Sequence, residues 1–304
     1  MSNIKVIIDE RPADIGNFAV GRMLPYRNKR MVGPFIFIDH MGLADLKPEE
    51  NVDIGPHPHI GLATLTYLFE GSLMHRDSLG NTVEIKPGEV NWMTAGKGIV
   101  HSERIPGYLR NTHKKFHGLQ IWIALPKDKE QMEPEFIHIE KDSIPEWFDS
   151  DVLYRLIAGE ALGKESPVPV YSKMFFLEIK TKSKSIINIC RNLFGEAGFY
   201  ILEGGLIHDG VEYKSKQLIV PEDLSDFEFV LEPESTIYII GGLPFSEERY
   251  IYWNFVSSER LLIEKAKEMW SARKFTEISG ETEFIPLPKP KAKLYVIKKS
   301  SAGH

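Results

Sequence analysis

Residues 67–90 read YLFEGSLMHRDSLGNTVEIKPGEV, and residues 200–224 read YILEGGLIHDGVEYKSKQLIVPEDL. The two stretches keep Tyr, Glu and Gly at one common offset: Tyr67 with Tyr200, Glu70 with Glu203, and Gly71 with Gly204. Each continues as an alternating strand, a turn, a second strand and a turn containing proline, Pro87 or Pro221. Self-similarity of this length points to one β-module used twice.

Working outward, TLTYLFEG (64–71), LQIWIAL (119–125), KMFFLEIKTK (173–182), FYILEGG (199–205) and STIYIIGG (235–242) repeat the same character. They are short, rich in β-branched and aromatic residues, and bounded by Gly, Pro, Asn and Asp. Many short strands between turns predict an all-β fold of two tandem barrels. The first barrel is expected over residues 1–140, a connection over 141–165, and the second barrel over 166–304. One segment breaks the pattern: SSERLLIEKAKEMWSARKF (257–275) predicts a short C-terminal helix over 258–273. Its serines can cap, and Leu262, Ala266, Met269 and Trp270 share one face to set against a sheet.

Composition narrows the function classes. With 304 residues, 42% apolar and 26% charged, the chain can bury one large core or two medium ones. A net charge of −6 gives no pull toward nucleic acid or anionic lipid. The cationic bias is confined to a solvated tail of Lys289, Lys291, Lys293, Lys298 and Lys299. A lone cysteine, Cys190, excludes an internal disulfide and reads as a small buried apolar residue. No apolar run is long enough for a membrane span, and the first residues, MSNIKVIIDERPADIG, place acids where a signal peptide needs a basic then apolar stretch. A cytoplasmic protein is the expectation.

The chemistry concentrates in two short stretches, Pro56-His57-Pro58-His59-Ile60-Gly61 and Gly98-Ile99-Val100-His101-Ser102-Glu103. Residues i and i+2 of a strand point to one face, so His57 pairs with His59 and His101 with Glu103. Two neighbouring strands carrying these pairs bring four candidate metal ligands onto one inward face. Pro58 lacks a ladder donor and suits an edge or barrel mouth, where a metal is open to substrate. Imidazole suits Fe, Cu, Ni and Zn, and the absence of thiolates weighs against a closed structural zinc site. The repeat supplies a control: the HxH position falls on Cys190-Arg191-Asn192 in the second half, and the HxE position falls near Leu231 to Ser235. The second half keeps the scaffold without the cluster, so the fold itself does not need these histidines.

The stretch GPHPHIG, followed by TLTYLFEGS, HRDSLGN and IKPGEVNWMTAGKGIVHSE, resembles the pirin family of the cupin superfamily. The similarity continues through HGLQIWIALP (117–126), GEALG (159–163) and GGLPFSEERYIYWNFV (241–256). The resemblance implies a bicupin with one iron, Fe2+, in the first barrel, held by His57, His59, His101 and Glu103. It further implies a dioxygenase that uses O2 on flavonols such as quercetin, with Glu103 doubling as the catalytic proton acceptor. Pirins typically read HPHRGFET, so Ile60 stands for the usual arginine and Ala63 for the usual glutamate. Both changes are expected to alter charge and polarity near the pocket.

Two further readings stand beside the dioxygenase. One is an iron- and redox-responsive regulatory protein that binds protein partners, since the acidic charge argues against direct DNA contact. The other is a cupin enzyme using a divalent metal such as Zn, Mn, Ni or Cu without O2. Other motifs carry less. TAGKGIV (94–100) fails as a phosphate loop, because Asn91 and Gly98 occupy positions the motif needs otherwise; it reads as a turn that delivers His101. His75, His113 and His117 read as solvated or hydrogen-bonded histidines, and Trp92 and Met93 as core.

Overall fold

A computed structural model of the chain describes residues 3–15, 18–225, 227–289 and the backbone of 295–297. Lys291, Lys293, Lys298 and Lys299 of the expected tail lie outside these residues, and Lys289 is exposed. Strands dominate, and the described residues hold one α-helix, Arg260–Ser271. No helix among them is long and apolar enough to cross a membrane. Chain segments gather into two compact units, Met1–Pro12 with Gly21–Ile38 and Ile139–Pro244, and Ala13–Val20 with Asp39–His138 and Phe245–His304. The all-β, two-barrel architecture expected from the repeat is the one that forms.

In the unit built on Ile139–Pro244, a large antiparallel sheet runs in the order Ile4–Asp9, Gln217–Pro221, Glu196–Glu203, Ser235–Gly242, Met174–Thr181, Val152–Ala161, Glu146–Asp149. A second sheet orders Ser185–Ile187, Phe229–Leu231, Gly205–His208 and Val211–Lys214. Inward residues of both sheets, among them Leu156, Phe175, Phe199, Phe229 and Ile237, fuse into one apolar core. Side-chain alternation sends these residues into one core, while the central strands Met174–Thr181 and Ser235–Gly242 are buried on both faces.

The unit built on Asp39–His138 repeats the plan. Glu135–Ile139, Val90–Thr94, Leu62–Glu70 and Lys114–Ala124 are consecutive in its larger sheet. Its four-stranded sheet orders Ile54–His59, Ile99–Arg104, Leu73–Asp77 and Thr82–Ile85. The duplicated residues play matching parts: Tyr67 and Tyr200 are both 1% exposed. Gly71 and Gly204 both turn the chain at positive φ, +86° and +73°, a conformation costly for any residue with a Cβ.

Two segments lie elsewhere than their sequence suggests. Residues 141–165, expected as a connection, hold the strands Glu146–Asp149, Val152–Ala161 and Lys164–Glu165. Val152, Tyr154 and Leu156 alternate into the core there, a short period-2 signal hidden between charged flanks. The helix, placed by sequence beside the second barrel, belongs to the Asp39–His138 unit. A buried ion pair, Arg249 Nε to Glu130 Oε1 at 3.3 Å, anchors this returning segment. An apolar cluster of Ile60, Val100, Phe255, Ile263, Ala266 and Trp270 seals it. The buried stripe is therefore Ile263, Ala266 and Trp270, while Met269 stays exposed at 39%.

Candidate metal centre

Three neighbouring strands of the four-stranded sheet each turn an i, i+2 pair to one face. The HxH strand Ile54–His59 brings His57 and His59, and the HxE strand Ile99–Arg104 brings His101 and Glu103. The strand Leu73–Asp77, an HxD strand, brings His75 and Asp77. Antiparallel register sets His101 opposite His57 on one side and opposite Asp77 on the other, with Glu103 opposite His75.

His57, His59 and His101 converge. Their ring centroids are 4.3 Å (His57–His101), 5.0 Å (His59–His101) and 5.1 Å (His57–His59) apart. Each offers a ring nitrogen within 4.8 Å of the other two. All three are buried, and burial penalises a charged imidazole. It pushes His57 down to about 4, and holds His59 and His101 well below the usual histidine range, with His57 adding to both shifts. The rings are thus neutral at neutral pH, the form that binds a metal.

The proton positions suit the same purpose. His57 Nδ1 donates to the Gly55 carbonyl at 2.8 Å, which leaves the Nε2 lone pair available. His101 Nε2 is buried without a hydrogen-bond partner. Both ring nitrogens of His59 are likewise unsatisfied; the Asn254 backbone approaches it outside hydrogen-bonding geometry. Buried, unsatisfied imidazole nitrogens are costly and uncommon unless something else satisfies them. Three convergent neutral imidazoles without a thiolate fit a divalent ion of the Fe, Ni, Cu or Zn type with coordination positions left open.

Glu103 stands apart from that trio. It is buried, and it lies outside the set of nitrogens within 4.8 Å of one another. Thr66 Oγ1 donates to its Oε1 at 3.1 Å, and the same hydroxyl lies 3.0 Å from Gln120 Oε1. Burial raises the carboxyl above the ordinary range, against the lowering influence of His75 and Thr66. The Trp122 ring meets His59 edge-on at 5.1 Å, adding an apolar wall.

The two departures from the pirin pattern fall away from this face. Ile60 is 3% exposed and packs with Val100, Phe255 and the helix. Ala63 occupies the strand phase opposite to Thr66, which reaches Glu103. Ile60 therefore belongs to an apolar cluster, and Ala63 to the strand face away from Thr66. Of the other histidines, His113 is exposed, and His117 pairs with His40, their Nε2 atoms 2.8 Å apart. Trp92 and Met93 are core, and burial pushes the Cys190 thiol up to about 12. A cavity of about 840 Å³, lined by Pro145, Ser166, Val168 and Met174 among others, has no histidine in its lining and belongs to the other unit. Sequence reasoning passed over Asp77 altogether; the HRD spelling at 75–77, in phase with HxH and HxE, was the available clue.

In the second barrel the counterpart of HxH, Cys190–Asn192, is a 3-10 turn instead of a strand. Comparison with known proteins follows the same division. The Pirin family model matches residues 17–123, and the model described as the Pirin C-terminal cupin domain matches residues 176–276. A pirin-like protein of Caulobacter vibrioides is 44% identical, covering 94% of this chain and 99% of its own length. A Pseudomonas aeruginosa protein provisionally named a quercetin 2,3-dioxygenase is 36% identical, covering 86% of this chain and 82% of its own. A crystal structure described as quercetin 2,3-dioxygenase from Acinetobacter baumannii is 33% identical with a TM-score of 0.85, covering 95% of this chain and 97% of its own.

Proposed function

Because the chain belongs to the pirin family, we propose that it is a non-haem Fe(II) dioxygenase acting on flavonol-type aromatic molecules. His57, His59, His101 and Glu103 form the metal set in the first barrel, and the described residues of the second barrel carry no counterpart of it. The observation that carries this reading is the trio of buried, neutral imidazoles with nitrogens unsatisfied by the protein. The names of two relatives, quercetin 2,3-dioxygenase for the Acinetobacter baumannii structure and the same name given provisionally to the Pseudomonas aeruginosa protein, support the substrate class.

Iron, when bound, supplies redox access to O2 and a common point of attachment for O2 and substrate. The remaining work falls to the chain. His57, held by Gly55, keeps its ring in place before substrate arrives. Glu103, oriented by the Thr66 hydroxyl at Oε1, is the group that takes the flavonol hydroxyl proton. Its burial leaves the carboxylate with little water around it, so its charge is poorly screened where the substrate hydroxyl would arrive. Trp122 keeps water from one side of the histidines.

Oxygen uptake by Fe(II)-loaded protein with quercetin, alongside iron quantification, tests the assignment. Consumption of O2 that depends on both iron and flavonol is the expected result. Protein that retains its iron and consumes no O2 with any flavonol overturns it.

A further inference from the structure

Beside the histidine trio lies a second pair of buried polar side chains that the proposed reaction does not use. His101 Nδ1 lies 3.4 Å from His75 Nδ1, and His75 Nε2 lies 3.1 Å from Asp77 Oδ2. His75 and Asp77 are 3% and 1% exposed. The Phe136 ring stacks on His75 at 4.2 Å and 11°, which fixes the imidazole plane. Asp77 is equally immobile: its Oδ1 accepts from the backbone N–H of Leu79 and Asn81, and its Oδ2 from Asn81 Nδ2 at 2.8 Å.

With a single proton on the His75 ring, donor and acceptor capacity sets the protons along this line. A carboxylate only accepts, so the hydrogen between Asp77 and His75 sits on His75 Nε2. A neutral His75 then has a bare Nδ1, which only accepts, so the next hydrogen sits on His101 Nδ1. What remains on His101 is an Nε2 lone pair, on the nitrogen that has no protein partner. We propose that Asp77 and His75 are positioning residues that lock His101 in its Nδ1–H tautomer and so prepare Nε2 to bind the metal. The proposal rests on the metal reading above. It parallels the hold of Gly55 on His57, and it gives the HxD strand a purpose equal to its two neighbours. Outer partners of this kind typically alter metal affinity about 10- to 100-fold.

Two measurements test it. In metal-free, 15N-histidine-labelled wild-type protein, His101 is expected to show a protonated Nδ1 and a bare Nε2 by long-range 1H–15N NMR. A protonated Nε2 on His101, as a doubly protonated His75 imposes, overturns the proposal. The second is Co(II) titration of metal-free wild type, His75→Leu, His75→Gln and His101→Ala. The expected loss for His75→Leu is about 10- to 100-fold in Co(II) affinity. His75→Gln, whose amide reproduces both the acceptor and the donor, is expected to recover most of it. Loss of Co(II) binding in His101→Ala with wild-type affinity in His75→Leu overturns the relay and leaves the metal site standing. Equal Co(II) binding by wild type and His101→Ala overturns the metal reading itself. If His75→Leu fails to fold, the wild-type tautomer and His75→Gln still decide.

Discussion

His57 and His101 stand directly opposite each other in antiparallel strands, with ring centroids 4.3 Å apart. That single register brings an HxH pair and an HxE pair, more than forty positions apart in sequence, onto one wall of a barrel. Everything proposed for the site depends on this pairing, and each element around it can be perturbed separately.

Glu103 is proposed as ligand and base, yet the three imidazoles converge without it. Glu103→Gln is therefore expected to keep most of its metal while flavonol turnover falls by about 10²–10⁴-fold, the usual worth of a general base. Iron content and O2 uptake measured on the same sample check this. Full activity in the variant assigns the proton elsewhere.

Stability of the metal-free protein is expected to fall on mild acidification. Unfolded histidine binds its proton near 6.5, whereas burial lowers folded His57 to about 4. Between those values the unfolded chain holds more protons, so stability is fully present above pH 6.5 and drains away as pH falls toward 4. His59 and His101 act in the same sense, and Glu103, with a raised carboxyl, acts in the opposite one from pH 4.5 upward. Each histidine contributes about 1.4 kcal/mol per unit of separation between its two pKa values. Thermal melts between pH 7.5 and 4.5 are the check, and a Tm that does not move contradicts the buried neutral trio.

Gly61, just past the HxH strand, has φ +68°, and a Cβ built there overlaps the Val256 carbonyl oxygen. Gly61→Ala is expected to lose about 1–2 kcal/mol from backbone conformation alone, and more from the overlap. Urea denaturation reads the loss, together with a drop in metal affinity as the strand end shifts.

Ile60→Arg, which restores the residue pirins usually carry, is expected to destabilise this chain. The side chain sits among Val100, Phe255, Ile263 and Trp270, and a guanidinium left there without a partner costs about 3–5 kcal/mol. Denaturant midpoints of wild type and variant compare directly, and an unchanged midpoint places residue 60 at the surface.

Much of this arrangement is legible in the sequence. The repeat at Tyr67 and Tyr200 announced two barrels, because side-chain alternation and turn glycines are local features. HxH and HxE were legible for the same reason, since a period of two fixes which residues share a face. What stayed hidden depended on distant partners. Residues 141–165 read as a connection because Val152, Tyr154 and Leu156 are flanked by charge, and only the core reveals their alternation. The helix groups with Asp39–His138, and the contacts that bring its segment there, Arg249 with Glu130 among them, join residues more than a hundred positions apart. Ile60 looked like a pocket residue until its neighbours, Phe255 and the helix, came into view.

The central claim is a metal held by His57, His59 and His101, and elemental analysis of native protein beside His101→Ala tests it most directly. About one divalent metal per chain in the wild type, and nearly none in a variant with an unchanged circular dichroism spectrum, is the expected result. Stoichiometric metal in His101→Ala contradicts the claim.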